Sequence, residues 1–221
     1  MGRRALRKID PALDYAPWLK TLEDLPVPWD ASALFPTAAP LEVEMGSGKG
    51  LFLAGAAQAN PAHNFLGIEL AKKYAHFAAA RLGRLDLPNA RMVNGDGLRV
   101  FREILPAASL AAIHVYFPDP WWKARHKKRR VLNEAFLVDV ERTLVPGGAL
   151  HFWTDVEEYF TTSLELIAQS TRLIGPLAVA ELAPEHDLDY RTHFERRTRL
   201  HGQPVYRAEF RTAAVGKASP A

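Results

Sequence analysis

The 221 residues carry 28 Lys and Arg against 25 Asp and Glu, a formal net charge of +3, with 48% hydrophobic residues and no cysteine. That is enough apolar material for one substantial core in one domain, and the missing cysteines exclude disulfides, thiolate metal sites and a cysteine nucleophile. No stretch approaches the roughly 18 uninterrupted apolar residues of a membrane span, and the basic start lacks an apolar h-region, so the expectation is a cytoplasmic protein without membrane contact.

Residues 1–40 include Pro11, Pro17, Pro26, Pro28, Pro36 and Pro40 and show little periodicity. They read as an N-terminal arm with at most one short helix, wrapped onto the domain or partly disordered. Strand and helix then alternate: strand 41–45, helix 49–59, strand 65–69, helix 71–85, strand 90–93, helix 98–105 and strand 110–117. Next comes helix 134–144, capped by Asn133 and stopped at Val145-Pro146-Gly147-Gly148, then strand 150–153 and helix 156–170. Five such alternations predict a doubly wound α/β fold, a mostly parallel sheet covered on both faces. Two closing strands, 177–182 and 205–210, flank a polar loop. The domain is thus 41–212, and 213–221 form a flexible tail.

Glu44-Met45-Gly46-Ser47-Gly48-Lys49-Gly50 joins the first strand to its helix. The glycines allow a sharp turn and close approach to a ligand. Position 51 is Leu, so the dinucleotide form G-x-G-x-x-G is not met, which weighs against a nicotinamide cofactor. Glu69 closes the second strand, where a carboxylate can accept from both hydroxyls of a ribose. Asp96 follows the third, placed to accept from an exocyclic adenine amine. Glu44 lies under the glycine loop, near where a cationic amino-acid tail would rest. Each acid alone could simply cap the next helix; three at successive strand ends fit a ligand crevice better. A ribose, an adenine and a net positive sulfonium suit this lining, and a pyrophosphate does not, which points to S-adenosyl-L-methionine.

The densest chemistry lies at Phe117-Pro118-Asp119-Pro120-Trp121-Trp122, followed by Lys123, Arg125, His126, Lys127, Lys128, Arg129 and Arg130. Two prolines stiffen the backbone around Asp119, and the tryptophans offer faces for base stacking. The run 123–130 carries +6; residues 1–8 and 191–211 carry +4 each, so these three segments hold +14 and the rest of the chain −11. Such polarisation favours a localised polyanion footprint. A methyltransferase for a small molecule would not need that charge, and a non-catalytic RNA-binding domain would not need Glu44, Glu69 and Asp96.

With these residues in view, the chain resembles the bacterial tRNA (guanine-N7-)-methyltransferase family over about residues 40 to 211. The resemblance rests on the glycine loop, Gly67-Ile68-Glu69, Asp96, the Phe117–Trp121 segment with its basic run, Thr154-Asp155, and Thr192-His193-Phe194-Glu195. It implies the seven-stranded S-adenosylmethionine-dependent methyltransferase sheet with the last strand antiparallel, and methylation of a guanine in the tRNA variable loop. It further implies Glu44, Gly46, Gly48, Glu69, Asp96 and Asp119 at the cofactor, with Asp119 catalytic; Lys123, Asp155, Thr192, His193, Phe194 and Glu195 at the substrate; and 125–130 on the RNA. Trp122 stands where the family often has His, and His193 where Lys is common. No metal is implied, tRNA is the expected partner, no protein partner is required, and monomer and homodimer both remain open. Guanine N7 has a free lone pair, so Asp119 either stabilises charge arriving on the purine or orients the base through N1 and N2. Thr192 and Glu195 are expected to bind the guanine edge or the methionine tail, with Phe194 buried as the anchor of their loop.

Overall fold

The computed structural model describes residues 6, 8–121, 124–179 and 192–214. Its strands are β1 (Leu19–Thr21), β2 (Leu41–Met45), β3 (Asn64–Glu69), β4 (Ala90–Asn94), β5 (Leu110–Tyr116), β6 (Leu144–Thr154), β7 (Ile174–Leu177) and β8 (Tyr206–Arg211). They form one sheet in the order β1-β4-β3-β2-β5-β6-β8-β7. All pairings are parallel except those of β8, which runs antiparallel to both β6 and β7. The helices are α1 (Leu51–Ala59), α2 (Lys72–Arg84), α3 (Gly97–Arg99), which continues as a π-helical turn Val100–Ile104, α4 (Glu134–Thr143), α5 (Glu157–Ser170) and α6 (His193–Leu200).

Alternation along the strands sorts side chains between two layers. Leu41, Val43, Met45, Ile68, Val93, Val115 and Phe152 join Phe136, Leu137 and Val140 of α4 in the larger core. Phe65, Ala90 and Met92 meet Leu53 and Ala57 of α1 and Ala75, Ala78 and Leu82 of α2 on the other side. Alanines let these helices come close: a Cβ on Gly50 (φ 65°) would sit 2.8 Å from that of Ala78.

Among the described residues the sheet has eight strands, one more than the expected seven. The extra strand, β1, comes from the arm and pairs in parallel with β4, Leu19 beside Met92 and Thr21 beside Asn94. Trp18 secures it: its Nε1 donates to the Leu87 carbonyl at 2.7 Å, and its ring lies where a side chain at Gly83 would project. Leu25, Leu34 and Phe35 then bury themselves against the larger core. The arm holds two 3-10 turns, Ala16–Trp18 and Ala31–Ala33. β6 begins at Leu144, earlier than expected, because Val145-Pro146-Gly147-Gly148 forms an irregular first segment rather than a plain helix stop. The register jumps there from Leu110 beside Leu144 to Ala112 beside Ala149, with Gly147 at φ 79°.

The tail departs further. β7 is Ile174–Leu177, not 177–182, and residues 180–182 lie outside the described residues. The segment before β8 is a helix rather than a loop: Thr192 caps α6, its hydroxyl accepting from Glu195 N at 3.0 Å. Threonine with glutamate three residues on is a capping-box pattern.

Candidate active site

The carboxyl ends of β2, β3, β4, β5 and β6 converge on one edge of the sheet, where β8 also begins, Thr154 beside Tyr206. The glycine loop is pinned there by main-chain bonds: Gly46 N and Ser47 N both donate to the Ile68 carbonyl, at 2.9 and 3.0 Å. Gly48 N donates to Glu69 Oε2 at 2.9 Å. Gly46 and Gly48 take φ 79° and 52°, and a Cβ on either would meet nothing within 4 Å. Their left-handed backbone and the space above them form a surface that a ligand can approach closely.

Glu44 lies below that loop, 4% exposed, and its Oε2 has no hydrogen-bond partner. Burial pushes its carboxyl up to about 8; the Ser47 hydroxyl opposes the rise and the Glu69 charge adds to it. Glu42, two residues back on the same face of β2, behaves differently. Its oxygens pair with His63 Nδ1 at 2.6 Å and His114 Nε2 at 2.7 Å. Burial pushes that carboxyl up, yet the two histidines hold it below its usual value. A buried carboxyl with an unpartnered oxygen beneath a glycine loop has the chemistry to hold a cation.

Glu69 is engaged on both oxygens, with Oε1 accepting from Ala71 N at 2.7 Å. It therefore ties the glycine loop to the start of α2 and keeps lone pairs for further donors. Asp96 is exposed and caps α3, its Oδ1 accepting from Leu98 N at 2.9 Å. Gly48 and Glu69 are thus directly bonded and the Glu69 charge acts on Glu44, while Asp96 caps its own helix.

Asp119 stands exposed beyond the end of β5. The chain leaves β5 through Phe117 at φ 49°, whose N–H donates to the Trp153 carbonyl at 2.8 Å. Trp121 takes φ 45°. Left-handed backbone at aromatic residues is rare and marks a conformation imposed by its surroundings. The Arg129 guanidinium lies 5.2 Å over the Trp121 ring, and His126 meets that ring edge-on at 5.6 Å. Arg125 is exposed and donates to His126 at 3.3 Å. Trp122 and Lys123 lie outside the described residues, and residues 124–129 form a 3-10 helix in which the Lys127 and Lys128 side chains are not described. Arg130 departs from the RNA-facing expectation: it is 9% exposed and turned into the protein.

Asp155 follows β6 and is half-buried. The Thr192–Glu195 segment reaches this edge through Phe194 and Glu195. Phe194 stacks on Phe117 with ring centres 6.1 Å apart, and the Arg197 guanidinium lies 4.9 Å from its ring centre. Phe194 is 50% exposed, so it is no buried anchor. Glu195 takes that part instead: at 3% exposure its Oε1 meets Arg207 at 3.2 Å and Arg199 at 3.4 Å, and Arg207 lies 4.8 Å over the Trp153 ring. Arg207 and Trp153 escaped sequence reasoning, although the Glu195/Arg199 spacing of four was a visible helix signal.

A cavity of about 710 Å³ opens beside α1, lined by Phe52, Gly55, Arg81, His114 and His151 among others. None of Glu44, Glu69, Asp96 and Asp119 lines it, so the acids and the glycine loop define the candidate site and this cavity does not. No helix among the described residues is long and apolar enough to cross a membrane.

Comparison with known proteins agrees with this architecture. Among solved structures, an aminoglycoside resistance methyltransferase, NpmB1, superposes with a TM-score of 0.53 at 18% identity, covering 79% of this chain and 87% of that one. A tRNA (m1A58) methyltransferase from Aquifex aeolicus gives 0.54 at 18% identity, covering 80% and 63%. At that identity the likeness establishes the fold alone. In sequence, residues 38–208 match a family model described as "Putative methyltransferase". A tRNA (guanine-N(7)-)-methyltransferase from Rhodopirellula baltica is 50% identical over 96% of this chain and 80% of its own; one from Geobacter metallireducens is 32% identical over 92% and 96%. Matches of that extent, over the whole sheet and its strand-end loops, make this chain a member of the tRNA (guanine-N(7)-)-methyltransferase family.

Proposed function

We propose that this chain transfers a methyl group from S-adenosyl-L-methionine to N7 of a guanine in the tRNA variable loop. One observation carries the reading: the buried Glu44 carboxyl, whose Oε2 has no hydrogen-bond partner, lies under an open glycine loop on the same sheet edge as the outward Asp119. Glu44 suits the cationic amino-acid end of the cofactor and ionises against it. Glu69 keeps lone pairs for the ribose hydroxyls, and Asp96 has a second oxygen for the adenine amine. S-adenosylmethionine, when bound, supplies an electrophilic methyl on a sulfonium.

Guanine N7 has no proton to lose, so none of these side chains is needed as a base. Their work is placement of the purine in line with the methyl. Asp119 supplies a carboxylate for the charge that develops on the ring, or for N1 and N2 of the guanine. Asp155, Lys123 and the 192–195 segment complete the substrate side, with Glu195 acting through the ion pairs that hold α6. Arg125 to Arg129 hold phosphates through charge and shape more than sequence. The test is nucleoside mass spectrometry of bulk tRNA incubated with enzyme and cofactor: 7-methylguanosine is expected, and methyl at another atom, or in protein alone, refutes the proposal.

A further inference from the structure

The basic run does not share one environment. Arg125 and Arg129 are exposed, whereas the Arg130 side chain turns inward and its Nε donates to the Pro120 carbonyl at 2.8 Å. Its guanidinium lies 4.6 Å over the ring of Tyr159. Tyr159, on α5, is 1% exposed and packs edge-on against Phe152 of β6, so the surface under Arg130 belongs to the core. The main chain is held as well. Asn133, the cap of α4, donates through Nδ2 to the Arg130 carbonyl at 3.1 Å, and the neighbouring Leu132 is buried in the core.

A guanidinium loses hydration when it is buried, and here a carbonyl and an aromatic face replace that water. Such an arrangement leaves it poorly placed to meet a phosphate. What the bond does is mechanical. Pro120 follows Asp119 directly, and the next residue, Trp121, takes a left-handed backbone that a bulky side chain adopts only when held there. The segment that carries Asp119 is fastened at its start by the Phe117 N–H on the Trp153 carbonyl, and Arg130 folds back from ten residues on to hold Pro120.

We infer that Arg130 is a positioning residue: by tying the Pro120 carbonyl to the Tyr159 surface it fixes the direction of the Asp119 carboxylate, and it contributes no phosphate contact to RNA binding. The inference deepens the proposed function and rests on the part that Asp119 plays in it. Lysine is a poor substitute at such a site, because its ammonium is a strongly hydrated point charge without the planar fork or the Nε donor.

The experiment compares Arg130→Lys, Arg130→Gln and Asp119→Ala in the full chain. Single-turnover methyl transfer is measured at saturating tRNA and cofactor, alongside cofactor affinity and tRNA affinity across a salt series. Both Arg130 variants are expected to lose roughly 10- to 100-fold in single-turnover rate, the scale of an ~1 Å misplacement, with tRNA affinity, salt slope and cofactor affinity within about twofold of wild type. A phosphate contact behaves otherwise: Lys preserves the rate, while Gln weakens tRNA binding and flattens its salt dependence. Wild-type rate in Arg130→Lys, or losses confined to tRNA affinity, overturn the inference. Should both variants fold poorly, Tyr159→Leu removes the supporting ring at a residue too buried to touch RNA. The same rate loss with unchanged tRNA affinity is then expected, and an unchanged rate overturns the inference. Asp119→Ala separates the two levels. Full rate there removes the Asp119 assignment and this inference with it; a slow Asp119→Ala beside a fast Arg130→Lys removes this inference alone.

Discussion

If Glu44 holds the cofactor as proposed, a single proton ties folding to ligand binding. In the free protein its carboxyl is pushed from 4.5 up to about 8, chiefly by burial. The native state therefore holds a proton that the unfolded chain has released between those values, so stability falls as pH rises. The contribution is fully present below about 4.5 and is gone above about 8. At 1.36 kcal/mol per pH unit the difference is about 5 kcal/mol. For a chain of this size 1 kcal/mol moves the melting temperature by about 2–4 °C, which sets a ceiling of about 10–20 °C. Glu44→Gln cannot ionise, so its melting temperature should exceed that of wild type by several degrees at about pH 9, and the gap should close as pH falls toward about 5. The same substitution should weaken S-adenosylmethionine binding, because the amide offers no charge to the cation. Cofactor binding by wild type should release most of a proton from this group near pH 7, where the free carboxyl is largely protonated. Titration calorimetry in buffers of different ionisation enthalpy, with the Glu44→Gln response subtracted, reads that proton. Parallel pH profiles for the two proteins, or no difference in proton release, would refute the reasoning.

Asp119→Ala should lower single-turnover methyl transfer by about 10²–10³-fold while cofactor affinity, measured by equilibrium dialysis, changes far less; loss of cofactor binding would make it chiefly a binding residue. Arg125→Ala and Arg129→Ala should each weaken tRNA binding and flatten its log–log salt dependence by about 0.7–0.9, and an unchanged slope in a salt titration would remove that residue from the RNA surface. Glu195→Gln should cost about 3–5 kcal/mol in chemical denaturation, because it removes the charge from a buried carboxylate paired with both Arg207 and Arg199. An unaltered denaturation midpoint with lost activity would instead favour direct contact between Glu195 and substrate.

The alternation of strand and helix was legible because apolar runs such as 65–68 have no place except inside a covered parallel sheet. The strand-end acids were legible for a related reason: a carboxylate that closes such a run needs either a helix to cap or a ligand to hold. Asp96 and Glu69 show that the alternatives coexist, since each bonds backbone amides at the start of a helix and still has acceptor capacity. What escaped the sequence depends on partners far along the chain. β1 is three residues long, too short for a periodic signal, and exists through an anchor between Trp18 and Leu87. The outward Arg129 and the inward Arg130 are adjacent in one basic run, and a count of charges cannot tell them apart; the Pro120 carbonyl and the Tyr159 ring do. Glu42 and Glu44 make the same point at the site itself. Alternation assigns both to one face of β2, but only the fold brings His63 and His114 to the first and leaves an oxygen of the second without a partner. Of two equivalent acids in the sequence, packing satisfied one and left an oxygen of the other, nearer the glycine loop, without a partner, and in the proposed function the cofactor completes it.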